Sequence, residues 1–470
     1  MPAQVDFTTI PELFTRLVNR YRGHHRTVLR HKPVDTWLDI SWEELEARVH
    51  ALAGFFYKQG VRPGDRVAIL SENRPEWAIA DLATQLLGAV NVSIYNTLPE
   101  AKVSYILRDS GAKWVVPSVP VQRKKVEAIA DECPDLEGML VMSELPGNPP
   151  DMMVQWEDAR DAGQTYWSQH ADALQQLGTN VSPADTSALI YTSGTTGDPK
   201  GVVLSHRNFC ANVKDALQHI PFYETDHHLS FLPLCHAFER TAGYTAVLAA
   251  GAKISYAESI EALTQNLLEV QPTVLISVPR VFEKVYSRVR EKAEEGSAIQ
   301  QRVFDWAVRT GQRYAEAEQD GGAGLLLQAQ QKLAHKLVFS ALHEKLGGNL
   351  RFAVSGGAAL PKEIGTFFQA AGIVIAEGYG LTETAPVISA NPAEAPRYGT
   401  VGHLLPSMTV AIKDLHTDVP IGTLSGTDYP SSLTTEEGEI VVKGPNVMER
   451  YWQRPEETRG AHAGTRYGRA

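Results

Sequence analysis

Cysteine is scarce in this chain: Cys133, Cys210 and Cys235 are the three present in 470 residues. None belongs to a C-x-x-C pair, so the spacing offers neither a zinc site nor a disulfide framework, and buried or free thiols in a reducing compartment are expected. Positive charge is also short, with 44 Lys and Arg against 55 Asp and Glu, a formal net charge of −11 with histidine neutral. Non-specific nucleic-acid binding needs a basic surface to displace counterions from phosphates, so no nucleic-acid partner is expected. Long apolar runs are missing too. Arg16, Arg20, Arg22, Arg26 and Arg30 punctuate the opening, which leaves no signal-peptide core. The most apolar stretch, Trp77 to Ile94, carries Asp81, Thr84, Gln85 and Asn91 and is no membrane span. The expectation is a soluble cytoplasmic protein, with peripheral contact at the inner face of a membrane and homodimer formation both left open. No H-E-x-x-H, G-x-S-x-G or glycine-rich dinucleotide fingerprint occurs, so metalloproteases, serine hydrolases and Rossmann dehydrogenases lack support.

What is present is enough for large cores. A hydrophobic content of 43% with 21% charged residues excludes a disordered chain, and at roughly 150 residues per unit the length allows about three domain-sized pieces. Thr9 with Glu12 reads as a capping box opening a helix whose apolar residues Ile10, Leu13, Phe14, Leu17, Val18 and Tyr21 recur at helical period. Its other face is basic, which suits packing on its own domain better than lying on an anionic membrane. Ser41 with Glu44 marks a second capping box, for a helix ending at Gly60. Val67-Ala68-Ile69-Leu70 is a short unbroken apolar run, as in strands buried on both faces.

Helices and such strands then alternate: a helix near Trp77 to Leu87, a strand near Val90 to Ile94, a helix after Pro99 and a strand at Trp114 to Val116. Similar units recur from Asp226 to Val278 and from Leu350 to Gly380. The alternation predicts an α/β fold of two large subdomains with mainly parallel sheets. We expect one subdomain over 1–180 and a second over 181–398 that contains a helical segment, 281–346, broken near Asp320-Gly321-Gly322. Short runs such as Thr409 to Ile412 and Glu439 to Val442 predict a small partial β module over 399–458, followed by an aberrant tail, 459–470.

The most specific segment is Tyr191-Thr192-Ser193-Gly194-Thr195-Thr196-Gly197-Asp198-Pro199-Lys200-Gly201, with strand-like sequence on both sides. Glycines let backbone N–H groups approach an anion, the hydroxyls of Thr192, Ser193, Thr195 and Thr196 add donors, and Lys200 supplies charge for a polyphosphate. This is no Walker A loop, because Pro199 takes the place of the second glycine, no Ser or Thr follows Lys200, and the next helix starts only near Ser205. Further on, a strand from Arg351 to Val354 runs into Ser355-Gly356-Gly357-Ala358-Ala359, and Pro361 stands near a helix start. Strand, glycine turn and helix let a flat ligand lie against backbone, although tight helix–strand packing reads the same way. A last strand ends in Glu377-Gly378-Tyr379-Gly380-Leu381-Thr382-Glu383-Thr384. Tyr379 can offer its ring to a base, while Thr382 and Glu383 can reach a phosphate oxygen and a hard cation such as Mg2+. His236, in Leu232-Pro233-Leu234-Cys235-His236-Ala237-Phe238-Glu239-Arg240, would by itself read as a packed histidine.

Taken together these four segments, in this order and spacing, resemble the acyl-adenylate-forming enzymes, and specifically the long-chain-fatty-acid CoA ligases. The likeness runs from about residue 5 to residue 455, and the helical segment 281–346 is similar to the long-chain branch. The resemblance implies two half-reactions: a carboxylate attacks the α-phosphorus of ATP, giving acyl-adenylate and pyrophosphate, and the thiol of coenzyme A then displaces AMP. It implies that Thr192, Ser193, Gly194, Thr195, Thr196, Gly197 and Lys200 hold the β- and γ-phosphates, Thr382 the α-phosphate and Glu383 the Mg2+. Tyr379 would stack near adenine, Gly356 and Gly357 would line its pocket, and His236 would stand where acyl tunnel, carboxylate and thiol entry meet. The substrate implied is a long-chain fatty acid; a medium-chain or aryl carboxylate, or an ATP- or acyl-binding remnant without activity, are the alternatives.

The end of the chain departs from that family. A Thr-Gly-Asp is expected about twenty residues beyond Gly438 to Gly444, yet the last aspartate is Asp428 and the last lysine is Lys443. The reading is therefore of a C-terminally truncated ligase without the mobile lid domain. Loss of one charge-stabilising group from such a transition state costs about 3 kcal/mol, about a hundredfold in rate, so impaired turnover is expected.

Overall fold

The computed structural model describes residues 6–145, 147, 149–192, 197–319, 321–417, 419–427, 434–462 and 468–469. Its unbroken apolar runs are strands covered on both faces: Val67, Ala68, Ile69 and Leu70 are all buried in the strand Arg66–Leu70. That strand lies between Val90–Ile94 and Trp114–Pro117, parallel to both. The sheet so begun has eight strands. Thr186–Thr192 extends it in parallel beside Val90–Ile94, and Lys200–Ser205 then turns back antiparallel. Its outermost strand on that side, Arg450–Tyr451, comes from far along the chain.

A second, nine-stranded sheet has six consecutive strands in parallel, in the order Val374–Gly380, Phe352–Ser355, Val274–Ser277, His227–Ser230, Lys253–Tyr256 and Thr27–His31. The hairpin partner Leu38–Ser41 closes one edge. A four-stranded antiparallel sheet contains Thr409–Lys413 between Pro420–Ser425 and Glu439–Lys443. The fold is thus α/β with mostly parallel sheets, as the alternation predicts. The helical segment is helical through Pro279–Glu294, Ala298–Gln319, Leu325–Ala334 and Ser340–Lys345. All three cysteines are buried and free, and among the described residues no helix is long and apolar enough to cross a membrane.

Helix starts follow their caps, with one difference from expectation. Ser41 and Glu44 close a full capping box on the helix Trp42–Lys58. Thr9 accepts from the Glu12 N–H (3.2 Å) at the start of Ile10–Tyr21, but the Glu12 carboxylate turns away to the N–H and hydroxyl of Thr8 (2.8 and 2.9 Å) and to Arg16. Two donors on one residue and a guanidinium outweigh the single N–H of Thr9. Ile10, Leu13, Phe14, Leu17, Val18 and Tyr21 are buried, so this helix spends its apolar face on the core.

A buried ion pair links helical elements packed on the two large sheets. Arg240 donates to Asp81 at 2.6 Å, with side chains 3% and 2% exposed. It also donates to Asn91 and Ser93 of the first sheet, both at 3.0 Å, while its guanidinium lies over the rings of Trp77 and Phe209. Pairing, hydrogen bonding and aromatic contact together offset the desolvation of both charges. Removing one partner leaves the other charge buried and alone. Asp81→Ala is expected to destabilise the chain by about 3 to 5 kcal/mol, and the double variant Asp81→Leu with Arg240→Met to recover most of that. Urea unfolding measures both; a single variant as stable as the parent would contradict the role given to the pair.

Candidate functional site

Four polar and apolar segments converge on one cavity of about 260 Å3. Gly356, Gly357, Tyr379, Thr382 and His236 all line it. The glycine turn follows the strand Phe352–Ser355, whose neighbour in the sheet is Val374–Gly380, and this pairing brings Gly356 and Tyr379 to one edge. Gly357 has φ +80°, a conformation that favours glycine, and a Cβ on Gly356 would stand 2.9 Å from the Phe238 ring. The backbone there is bare by necessity. Tyr379 is half-buried, and that burial raises its phenol pKa.

Apolar side chains line the cavity as well: Leu217, Ile220, Phe222, Ala242 and Ala246. His236 stands at the start of the helical turn in which the Arg240 N–H reaches its carbonyl (2.9 Å). Its ring meets Tyr95 edge-on at 5.5 Å. Surrounding protein lowers its pKa, so the imidazole is neutral at pH 7 and can accept or donate a hydrogen bond without adding charge. The loop before it is held from the first sheet's side. Asn73 donates to the Leu232 carbonyl (2.6 Å) and to Ser230 (2.9 Å), and accepts from the Leu234 N–H (3.1 Å).

Thr382 and Glu383 occupy a single 3-10 turn, Thr382–Thr384. Thr382 faces the cavity, whereas Glu383 does not line it. One Glu383 oxygen accepts from the Tyr451 hydroxyl at 2.7 Å, leaving the other without a protein partner among the described residues. The Lys200 ammonium lies 5.3 Å from the centroid of that same tyrosine ring, and among the described residues it forms no ion pair. Thr192 and Lys200 are directly paired at the mouth of the hairpin formed by Thr186–Thr192 and Lys200–Ser205. Gly197, at φ +123°, lies in the connection, while Ser193, Gly194, Thr195 and Thr196 are outside the described residues.

Three motifs far apart in sequence thus line one cavity; Thr192, Gly197 and Lys200 do not line it, and Lys200 is linked to the Thr382–Thr384 turn through Tyr451. Residues 14–452 match the model of the family described as AMP-binding enzyme. The chain belongs to the AMP-binding enzyme family. A long-chain-fatty-acid–CoA ligase of Mycobacterium bovis is 33% identical over 436 residues, covering 90% of this chain and 65% of the relative. The chain therefore spans just under two thirds of the length of that curated relative. Among solved structures, a long-chain-fatty-acid–CoA ligase from Archaeoglobus fulgidus superposes with a TM-score of 0.69 at 17% identity, over 100% of this chain and 82% of that one. The anthranilate CoA ligase AuaEII in complex with anthranoyl-AMP gives 0.71 at 18% identity, over 100% and 75%. At those identities the superpositions speak for the fold alone.

The site contains groups that no motif in the sequence singled out. Tyr451 connects Lys200 to Glu383, and Asn73 holds the His236 loop. Neither stands inside a motif of phosphate-binding type, and only the pairing of distant strands brings them to the site. No group of three or more His, Cys, Asp or Glu among the described residues could hold a metal. A cation such as Mg2+ needs less protein than that, since it takes one or two carboxylates and fills its shell with water and phosphate oxygens; one unpaired Glu383 oxygen beside Thr382 fits it. Asn73→Ala is expected to cost about 1 to 3 kcal/mol through unpaired buried groups and to shift the His236 ring resonances in an NMR spectrum. If those resonances stay in place, the loop is held by something else.

Proposed function

We propose that this chain carries the adenylating site of an ATP-dependent fatty-acid CoA ligase. The observation that carries the reading is the lining of one cavity, which combines bare glycine backbone, Tyr379 and Thr382 with apolar side chains such as Leu217, Ile220 and Phe222, and includes His236. An acyl-adenylate combines the matching parts, a flat nucleotide joined to an apolar tail through a charged phosphate.

In this reading Lys200 and the Thr192–Gly197 hydroxyl and backbone donors, Ser193, Gly194, Thr195 and Thr196 among them, bind the β- and γ-phosphates. Thr382 binds the α-phosphate, and Tyr379 lies along the adenine with Gly356 and Gly357 beneath it. The acyl carboxylate attacks the α-phosphorus and pyrophosphate leaves; the coenzyme A thiol then attacks the acyl carbon and AMP leaves. The first step brings two anions together, so positioning and charge neutralisation must supply most of the rate. Mg2+ bound at Glu383 would offset phosphate charge. Neutral His236 can orient the carboxylate by a hydrogen bond without trapping it in an ion pair. Such a protein would work in the cytoplasm or at the inner membrane face, on fatty acids drawn from either.

A second reading concerns the acid. A cavity of about 260 Å3 is at the small end for a ligand pocket, below the roughly 300–1,000 Å3 common for such sites, which favours a medium-chain or aryl carboxylate in this conformation. A series of non-hydrolysable acyl-sulfamoyl adenosines distinguishes the readings. For a long-chain site, affinity rises steadily from the acetyl to the palmitoyl compound; for the shorter acids it peaks at octanoyl or benzoyl. An acyl group that adds nothing over AMP would overturn both. Ala242→Phe and Ala246→Phe are expected to shift the preference toward shorter chains, since both fill the apolar wall. Lys200→Ala is expected to weaken ATP binding about tenfold or more, the weight of a charge-assisted hydrogen bond, with an unchanged melting temperature. Calorimetry gives the first and circular dichroism the second; equal ATP affinity in the variant would count against the role of Lys200.

A further inference from the structure

The stretch that follows the small sheet grips the Thr382–Thr384 turn at three points. Asn446 donates to the Thr384 carbonyl (2.6 Å), the Met448 N–H donates to the Glu383 carbonyl (2.7 Å), and the Tyr451 hydroxyl donates to the Glu383 carboxylate (2.7 Å). The stretch is itself pinned to the first sheet. Arg450–Tyr451 pairs with Lys200–Ser205, placing Tyr451 opposite Val202, and the Trp452 N–H reaches the Gly201 carbonyl (2.7 Å). Trp452 and Arg454 both fasten onto Asp109, at 2.9 and 3.0 Å. Side chains alternate along a strand, so Lys200 shares a face with Val202 and comes to lie over the Tyr451 ring.

We propose that Tyr451 is a positioning residue for the polyphosphate seat, with its two halves doing separate things. Its hydroxyl occupies one Glu383 oxygen and so turns the other outward toward a cation. Its ring face holds the Lys200 ammonium in reach of the same place, with a grip weaker than a phosphate oxygen's, so the lysine is released to the nucleotide when it arrives. The inference rests on the adenylating reading above.

The test is ATP binding by calorimetry on the full chain, titrated across Mg2+ concentrations and again in EDTA, for the parent, Tyr451→Phe and Tyr451→Leu. Tyr451→Phe removes one oxygen and keeps the ring. Its half-saturating Mg2+ concentration is expected to rise about five- to tenfold, with affinity in EDTA within about twofold of the parent. Tyr451→Leu is expected to show the same rise and also to change the EDTA affinity, by about threefold or more, which phenylalanine restores. In a Glu383→Gln background the Tyr451→Phe effect is expected to vanish, because the two groups act as one unit. A Mg2+ dependence in Tyr451→Phe that overlays the parent's would overturn the inference and leave the adenylating reading standing. A parent chain that binds no ATP at any Mg2+ concentration would sink the reading itself, and the inference with it.

Discussion

The Arg240–Asp81 pair is the contact on which the site's geometry depends. Arg240 lies four residues after His236 on the same helical start, and its guanidinium is fixed by Asp81, Asn91 and Ser93 from the other side of the sheet junction. One buried charge therefore ties the element that carries His236 to the sheet from which the hairpin of Thr186–Thr192 and Lys200–Ser205 springs. Glu239, the neighbouring residue, is fully buried and accepts from Ser230 at 2.6 Å, and Ser230 in turn accepts from Asn73. A network of this kind contributes less to net stability than to uniqueness, because any other register would leave several polar groups unpaired at once.

From that anchor two parts of the cavity's lining follow for different reasons. One part of the lining is made by strand pairing: Ser355 opposite Glu377 puts the glycine turn and Tyr379 at adjacent strand ends, where ligands of parallel α/β sheets lie. Another part comes from helical elements, with small residues Ala242 and Ala246 leaving room that larger ones would fill. His236 lines the same cavity and is largely buried there. Its depressed pKa is a consequence of that placement rather than of any charged neighbour.

Much of this was legible in the sequence, and the exceptions have a common cause. Val67 to Leu70 reads as a doubly covered strand because four consecutive apolar residues suit nothing exposed, and it is one. The Ser41–Glu44 box closes as read, because cap chemistry needs only residues three apart; the Thr9–Glu12 box does not, because Thr8 and Arg16 compete for the same carboxylate. The glycines, Tyr379 and Thr382 announce themselves by local spacing, and the structure brings them to one cavity with His236, a residue with no local signal of its own. Tyr451 and Asn73 were invisible for the opposite reason: each acts on a segment about seventy or more residues away, or in another sheet, and nothing near them in sequence marks the contact.

Sequence by itself determined the layer architecture, the family and the set of chemical groups available, since hydrophobic period, turn residues and motif order are properties of short stretches. Tertiary structure alone decided which of those groups share a space. It set Lys200 over the ring of one tyrosine and Glu383 at that tyrosine's hydroxyl, and it brought apolar side chains and the glycine turn to one cavity. The first depends on a strand, Arg450–Tyr451, that returns to pair with one some 250 residues earlier. Backbone pairing of that kind uses N–H and C=O groups that every residue carries, so it leaves no mark in side-chain pattern from which it could have been read.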